Sequence, residues 1–154
     1  MHFVLYDGLG DLPHFTPDLD GEAPPAPVVR WRELLQSADG VIISTPEYAF
    51  GVPGVLKNAL DWVVSSGEFY EKPAAVISAS PMMTGGDKAH ASLMLTFQAL
   101  TARIAEEAKL TVPAVNKKLT PEGEISDPAL KEALEKLLAA LARTIDDKEK
   151  ESED

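Results

Sequence analysis

Residues 40–62 read GVIISTPEYAFGVPGVLKNALDW, and the order of patterns inside them decides the fold. Val41–Ser44 is a short run, apolar until its final serine and rich in β-branched residues, as expected of a strand buried on both faces. Pro46 then fixes its own φ and biases Thr45 toward extended geometry, so the chain leaves the strand in one direction. Gly51 and Gly54 allow a turn or a close backbone approach. From Gly54 the period changes. Over 54–65 helical spacing sets Val55, Ala59, Trp62 and Val63 on one face, with Lys57, Asn58 and Asp61 opposite. Strand, loop and helix follow one another in 26 residues or so, the first half of a strand–helix–strand crossover.

The same alternation extends both ways along the 154 residues. Ala74–Ala79 is a second buried strand, Phe3–Tyr6 a third and Leu110–Val115 a weaker fourth. Helical spacing occupies Val28–Ala38, roughly Asp87–Lys109, and Pro128–Ile145. That last segment carries Leu130, Leu134, Leu137, Leu138, Leu141 and Ile145 on one stripe. Asp127 before Pro128 supplies an N-cap and a proline at the first helical position. Apolar strands alternating with helices predict an α/β domain, a parallel sheet covered on both faces. Ligands of such sheets bind beyond the carboxyl ends of the strands, which directs attention to the loops after Tyr6, Ser44 and Ala79. The Pro- and Gly-rich connection 7–27 is long for one domain, and connections that long are usually functional or mobile.

Composition narrows the function classes. No cysteine is present, which excludes disulfides, thiolate catalysis and Cys-based metal sites and fits a cytosolic, cytoplasmic protein. The N-terminus has no basic segment ahead of an apolar one, so no signal peptide is expected. No apolar run approaches the ~20 residues of a membrane helix. Fourteen basic against 25 acidic residues give a formal charge of −11, a field that repels phosphate backbones and argues against nucleic-acid partners. Part of the acidic excess lies in DDKEKESED at 146–154, a tail with nothing apolar to bury and therefore expected to be disordered; residues 1–145 form the single domain. His2, His14 and His90 have no metal-ligand spacing, and no metal site is expected.

Two loops carry the candidate chemistry. In the first, Glu47 offers acceptors and Tyr48 an aromatic face, a pairing suited to a planar ring with polar edges. Glu47 reads as a structural acceptor ahead of a general acid, and Phe50 as either a substrate-facing or a half-buried loop aromatic. In the second, SASPMMTGGDKAH at 78–90, Ser78 and Ser80 can donate, and Gly85-Gly86 ahead of a helix can expose backbone N–H groups to an anion or carbonyl. The alternative for both is an ordinary strand-to-helix loop. Met82, Met83 and Met94 read as gap-fillers or pocket lining.

Together STPEYAFGVPGVLKNALDWV at 44–63 and KPAAVISASPMMTGGDKA at 72–89 resemble the NADPH-dependent FMN reductase family of flavodoxin-like oxidoreductases, which includes quinone, chromate and azo-dye reductases. The ordered elements are PEY, PGxLKNAxDW, KPxAxIxASP and GG, and the similarity runs from Phe3 to about Val115. The resemblance implies a flavodoxin-like three-layer sandwich with sheet order 2-1-3-4-5. It places Thr45, Pro46, Glu47, Tyr48 and Ala49 on the loop that holds the isoalloxazine ring, and Ser80, Pro81, Gly85 and Gly86 on a second flavin-contacting loop. Ala49 stands where the family often has Asn. Lys57, Asn58, Asp61 and Trp62 match a helix signature read as structural: capping, packing and subunit contacts.

What this implies about activity is a ping-pong NAD(P)H oxidoreductase using FMN, which passes hydride to quinones or similar small acceptors, in a homo-oligomer of two or four subunits. No residue is singled out as catalytic, because the cofactor carries the chemistry. The family's opening strand and its phosphate-wrapping G-S-x-R-x-x-S-x-N loop have no counterpart here. A sheet of about four strands without the usual first one is therefore expected. Loss of even three charge-assisted phosphate contacts, each worth roughly 1.5–3 kcal/mol, would weaken FMN by about three orders of magnitude. The second reading is a non-catalytic flavodoxin-like domain that binds flavin weakly and serves as an assembly or binding module.

Overall fold

The computed structural model describes residues 1–153 and is an α/β sandwich of three layers. Its central sheet has three parallel strands in the order β1 (Val41–Thr45), β2 (Ala74–Ala79) and β3 (Lys109–Val112). Val41 pairs with Ala74 and Thr45 with Ser78; across the other edge of β2, Val76 pairs with Lys109 and Ala79 with Val112. Four helices alternate with the strands: α1 (Ala26–Ser37), α2 (Gly54–Asp61), α3 (Asp87–Ala99) and α4 (Pro128–Glu153).

Alternation along the strands sorts the core into two layers. Ile43 and Val76 point to one face and pack with Val28, Trp31 and Leu35 of α1, with Leu56, Ala59 and Leu60 of α2, and with Leu93 and Phe97 of α3. Ile42, Ala75, Ile77 and Leu110 belong to the other face, where Leu137, Ala140 and Leu141 of α4 cover them. Leu134, Leu138 and Ile145 complete the α4 stripe as half-buried residues. Asp127 caps α4, its Oδ1 accepting from Leu130 N at 2.7 Å, and that bond first of all holds its carboxyl below the ordinary range.

Several local expectations are corrected. Phe3–Tyr6 is not a strand: it belongs to no ladder among the described residues, and Phe3, Val4 and Leu5 are exposed. A β-like sequence pairs only if a partner edge lies beside it, and here the segment instead runs to Tyr6, whose ring stacks on Trp31 at 4.7 Å. α3 stops at Ala99 rather than near Lys109. Thr101 takes a left-handed φ of 56°, and the chain turns back through Arg103, which bridges to Pro73. On α2, Val55 is exposed, while Ala59, Trp62 and Val63 are buried as expected and Leu56 and Leu60 join them, so the apolar face extends to the side away from Val55. Residues 146–153, expected to be disordered, continue α4 as helix; Asp154 lies outside the described residues. Lys150 pairs with Asp147 one turn away, and Glu151 accepts from Arg103 Nη1 at 2.6 Å, giving this charged stretch both a local and a tertiary partner.

The long connection 7–27 is held rather than loose. The carbonyl of Pro13 accepts from Asn58 Nδ2 at 3.0 Å and from Trp62 Nε1 at 2.8 Å, while Phe15 N donates to Asn58 Oδ1 at 2.8 Å. Phe15 also meets the Trp62 ring edge-on at 5.1 Å. Arg32 adds a link, donating to Trp62 O and to Asp20 Oδ1. The Asn-x-x-x-Trp spacing therefore works as a clamp, one helical turn apart on one face. Asn58→Asp keeps the acceptor for Phe15 but replaces the donor to Pro13 with an oxygen. We expect a loss of about 1–3 kcal/mol, read as a lower urea midpoint; an unchanged midpoint would mean the clamp carries no stability.

Candidate functional site

The loops after β1 and β2 meet at the carboxyl end of the sheet. What joins them is Glu47. Its Oε2 accepts from the backbone N–H of Lys88 at 2.9 Å and of Ala89 at 3.0 Å, so a carboxylate from the first loop caps α3 at the end of the second. A helix N-terminus presents unpaired donors and a positive dipole end, and a carboxylate satisfies both. Two N–H groups at this helix start, those of Lys88 and Ala89, are thus taken by the protein's own side chain.

The glycines of the second loop are required by this approach. Gly85 and Gly86 have φ of +63° and +80° and both are buried. A Cβ on Gly85 would stand 3.0–3.1 Å from backbone atoms of Val112 and Pro113; one on Gly86 would stand 3.3 Å from Ser78 Cβ and 3.6 Å from Glu47 Cβ. Ser78 Oγ donates to Gly85 O at 2.9 Å, which pins the turn to β2 from below. The loop is also tied to the chain after β3: Ser80 N donates to Val112 O, Val115 N to Ser80 O, and Ala114 N to Met82 O, all at 3.0–3.1 Å. Ser80 Oγ accepts from Met82 N at 3.1 Å.

The first loop is closed on itself. Tyr48 N donates to Gly51 O at 2.9 Å and Gly51 N to Tyr48 O at 3.0 Å, around a two-residue reversal at Ala49 and Phe50. Both central residues are left-handed, with φ of 49° and 63°. Asn and Gly are the usual choices for such a turn, and a residue with a Cβ there costs roughly 1–2 kcal/mol. Ala49, where the resembled family often has Asn, lacks the side chain that would ease that conformation.

All nine residues singled out in the sequence therefore lie on this one edge, in different surroundings. Thr45 is buried at the end of β1, its Oγ1 donating to Pro46 O at 3.0 Å. Pro46, Tyr48, Ala49 and Pro81 are exposed, Glu47 and Ser80 half-buried, Gly85 and Gly86 buried. The exposed Tyr48 and the half-buried Ser80 thus sit on two loops that Glu47 fastens together through α3. Sequence reasoning did not find the link between Glu47 and α3, because nothing in PEY states which amides will lie within reach. Met82 and Met83, read as gap-fillers or lining, are both exposed at the rim.

His90 sits in the first turn of α3 behind the loop. Its Nδ1 is buried without a partner, and burial, helped by nearby Lys109 and opposed by Glu106, holds its pKa below the ordinary 6.5. A group with a lowered folded pKa stabilises fully above its unfolded value and loses that contribution as the pH falls through the folded one. Stability should therefore decline below about pH 6.5, and His90→Gln should flatten that limb; an identical profile in the variant would remove His90 as its source. Glu47→Ala should cost about 1–2 kcal/mol by uncapping α3 and should speed exchange of the Lys88 and Ala89 amides, with Glu47→Gln in between. Unchanged protection at those two amides would contradict the cap.

Comparison with known proteins agrees with this architecture. The profile described as NADPH-dependent FMN reductase matches residues 1–117. An NAD(P)H-dependent FMN reductase of Pseudomonas aeruginosa is 30% identical over 135 residues, 86% of this chain and 73% of that protein. A quinone reductase of Pseudomonas putida is 43% identical over 83 residues, 51% of this chain and 44% of that protein, so the match spans less than half of the relative. Among solved structures, the flavoenzyme NAD(P)H:(acceptor) oxidoreductase FerB of Paracoccus denitrificans superimposes with a TM-score of 0.72 at 28% identity, covering 90% of this chain and 75% of FerB. With three-quarters of its length matched by the family profile and its loops built on the same flavodoxin-like frame, the chain belongs to the NADPH-dependent FMN reductase family.

Proposed function

We propose that this chain is an FMN-dependent NAD(P)H oxidoreductase whose acceptors are quinones or similar small molecules, acting in the cytoplasm as a homo-oligomer. The observation that carries the reading is the joining of the two loops by Glu47 at the carboxyl end of β1 and β2, where Tyr48 is left 66% exposed beside a glycine backbone. An exposed phenol on a fixed loop is a stacking surface waiting for a ring.

The residues fit the ring of a flavin. Tyr48 would lie against its face or edge, Ala49 would approach it through the backbone, and Ser80 and Gly86 would border it from the second loop. Pro46 and the Tyr48–Gly51 bond pair hold the first loop in one shape, so little ordering remains when a ligand arrives. Glu47 acts by position: spent on α3, its carboxylate keeps the two loops at a set separation and takes no part in proton transfer. Bound there, FMN supplies a hydride relay by which NAD(P)H, one proton and a quinone become NAD(P)+ and a hydroquinone. The oligomer is favoured by the outer edge of β1, which has no neighbouring strand among the described residues and exposes unpaired backbone groups to association. No helix of the described chain is long and apolar enough to cross a membrane.

The test is an FMN titration followed by quenching of flavin fluorescence, with NAD(P)H consumption measured in parallel. Saturable quenching and FMN-dependent consumption are expected, and Tyr48→Ala should weaken FMN about tenfold, the loss of one aromatic stack. If quenching does not saturate and NAD(P)H is not consumed, the enzyme reading fails and a non-catalytic domain of this fold takes its place.

A further inference from the structure

Four large apolar side chains stand exposed around the crevice at the carboxyl ends of β1 and β2. On the first loop they are Tyr48 and Phe50, 66% and 81% exposed; on the second, Met82 and Met83, 68% and 78% exposed. The two loops are held side by side by Glu47, whose Cβ would be 3.6 Å from a Cβ on Gly86. Phe50 is in addition held out by a left-handed backbone that a phenylalanine seldom adopts, closed by the paired bonds of Tyr48 and Gly51. Outliers of this kind persist where the surroundings enforce them, and they concentrate at ligand sites.

The charges around this lip are spoken for. Glu47 faces α3, and Asp87 pairs with Lys88 at 3.2 Å. The chain as a whole carries a formal −11, a field unfavourable to anions. What is left is a set of exposed apolar side chains, two aromatic rings on the first loop and two flexible, polarisable methionines on the second, a combination that adapts to flat apolar ligands of differing outline.

We infer that Phe50, with Met82 and Met83, is the acceptor-side lip of the site and selects uncharged, apolar, fused-ring acceptors over small hydrophilic or anionic ones. Phe50 is a specificity residue here, distinct from Tyr48, which is assigned to the cofactor. The inference rests on the reading of the two loops as a flavin-ring site; the redox step is the one balanced above, with a fused-ring quinone as the two-electron acceptor.

Phe50→Asn is the informative variant, since Asn tolerates the left-handed turn and removes the ring. Met83→Gln is its companion on the second loop. The probes are 2-methyl-1,4-naphthoquinone and ferricyanide, and the absence of cysteine means that no thiol competes for the quinone. Binding of the naphthoquinone by equilibrium dialysis should weaken about fivefold to tenfold in each variant. The ratio of kcat/KM for naphthoquinone to that for ferricyanide should fall by the same factor, with the FMN titration curve of each variant reporting separately on the cofactor site. Equal losses on both acceptors, or naphthoquinone binding unaltered by Phe50→Asn, would overturn the lip. Failure of the flavin reading looks different: no FMN-dependent turnover of either acceptor by the unsubstituted chain, in which case weakened naphthoquinone binding in Phe50→Asn still upholds the lip and unaltered binding still removes it.

Discussion

One carboxylate organises the functional edge. Glu47 leaves β1 on a proline-directed path and ends on the amides of Lys88 and Ala89, so the loop after one strand is fastened to the helix after the next. A charge-assisted bond pair of that kind is stronger than a neutral one and more directional than apolar packing. It sets the separation of two loops that share no backbone hydrogen bond among the described residues. The positive φ values of Gly85 and Gly86 follow from the same demand, because the second loop must fold tightly enough to bring those amides to the carboxylate. Tyr48, one residue further on, is free to face solvent because Glu47 has already turned inward.

The frame beneath is built from simpler parts. Parallel strands with one residue in two pointing to each face divide the core cleanly, three helices on the Ile43 and Val76 side and α4 on the Ile42 and Ala75 side. The Asn58 and Trp62 clamp adds a third constraint, drawing the connection 7–27 down onto α2 through the carbonyl of Pro13 and the amide of Phe15. Strands, cap and clamp are all local devices, yet each joins residues more than 25 positions apart.

Much of this was legible in the sequence, for identifiable reasons. Val41–Ser44 and Ala74–Ala79 are apolar runs between turn residues, and their partners are each other, so pattern and pairing agree. Asp127-Pro128 announces the start of α4 because capping chemistry is local. Phe3–Tyr6 has the same strand-like composition but no adjacent edge, and pairing is a property of the neighbour as much as of the segment. The end of α3 was hidden because Thr101, neither glycine nor proline, makes the reversal. On α2, Val55 and Leu56 are interchangeable to a periodicity count; only the sheet decides which is buried. At the site, residue types and loop placement were readable, whereas the Glu47 bond and the Ala49-Phe50 reversal depend on geometry that no motif encodes.

The unequal division of cover between the two faces has a dynamic consequence. One face is shared among three helices and two chain segments, so lifting any one of them leaves the strands partly protected. The other is shielded chiefly by Leu137, Ala140 and Leu141 of α4, which is tied to Arg103 through Glu151. Secondary-structure elements that open as one unit expose together everything they cover. Detachment would bare Ile42, Ala75, Ile77 and Leu110 together, beside a strand edge already open. Protection of that whole apolar strip thus rests on one helix.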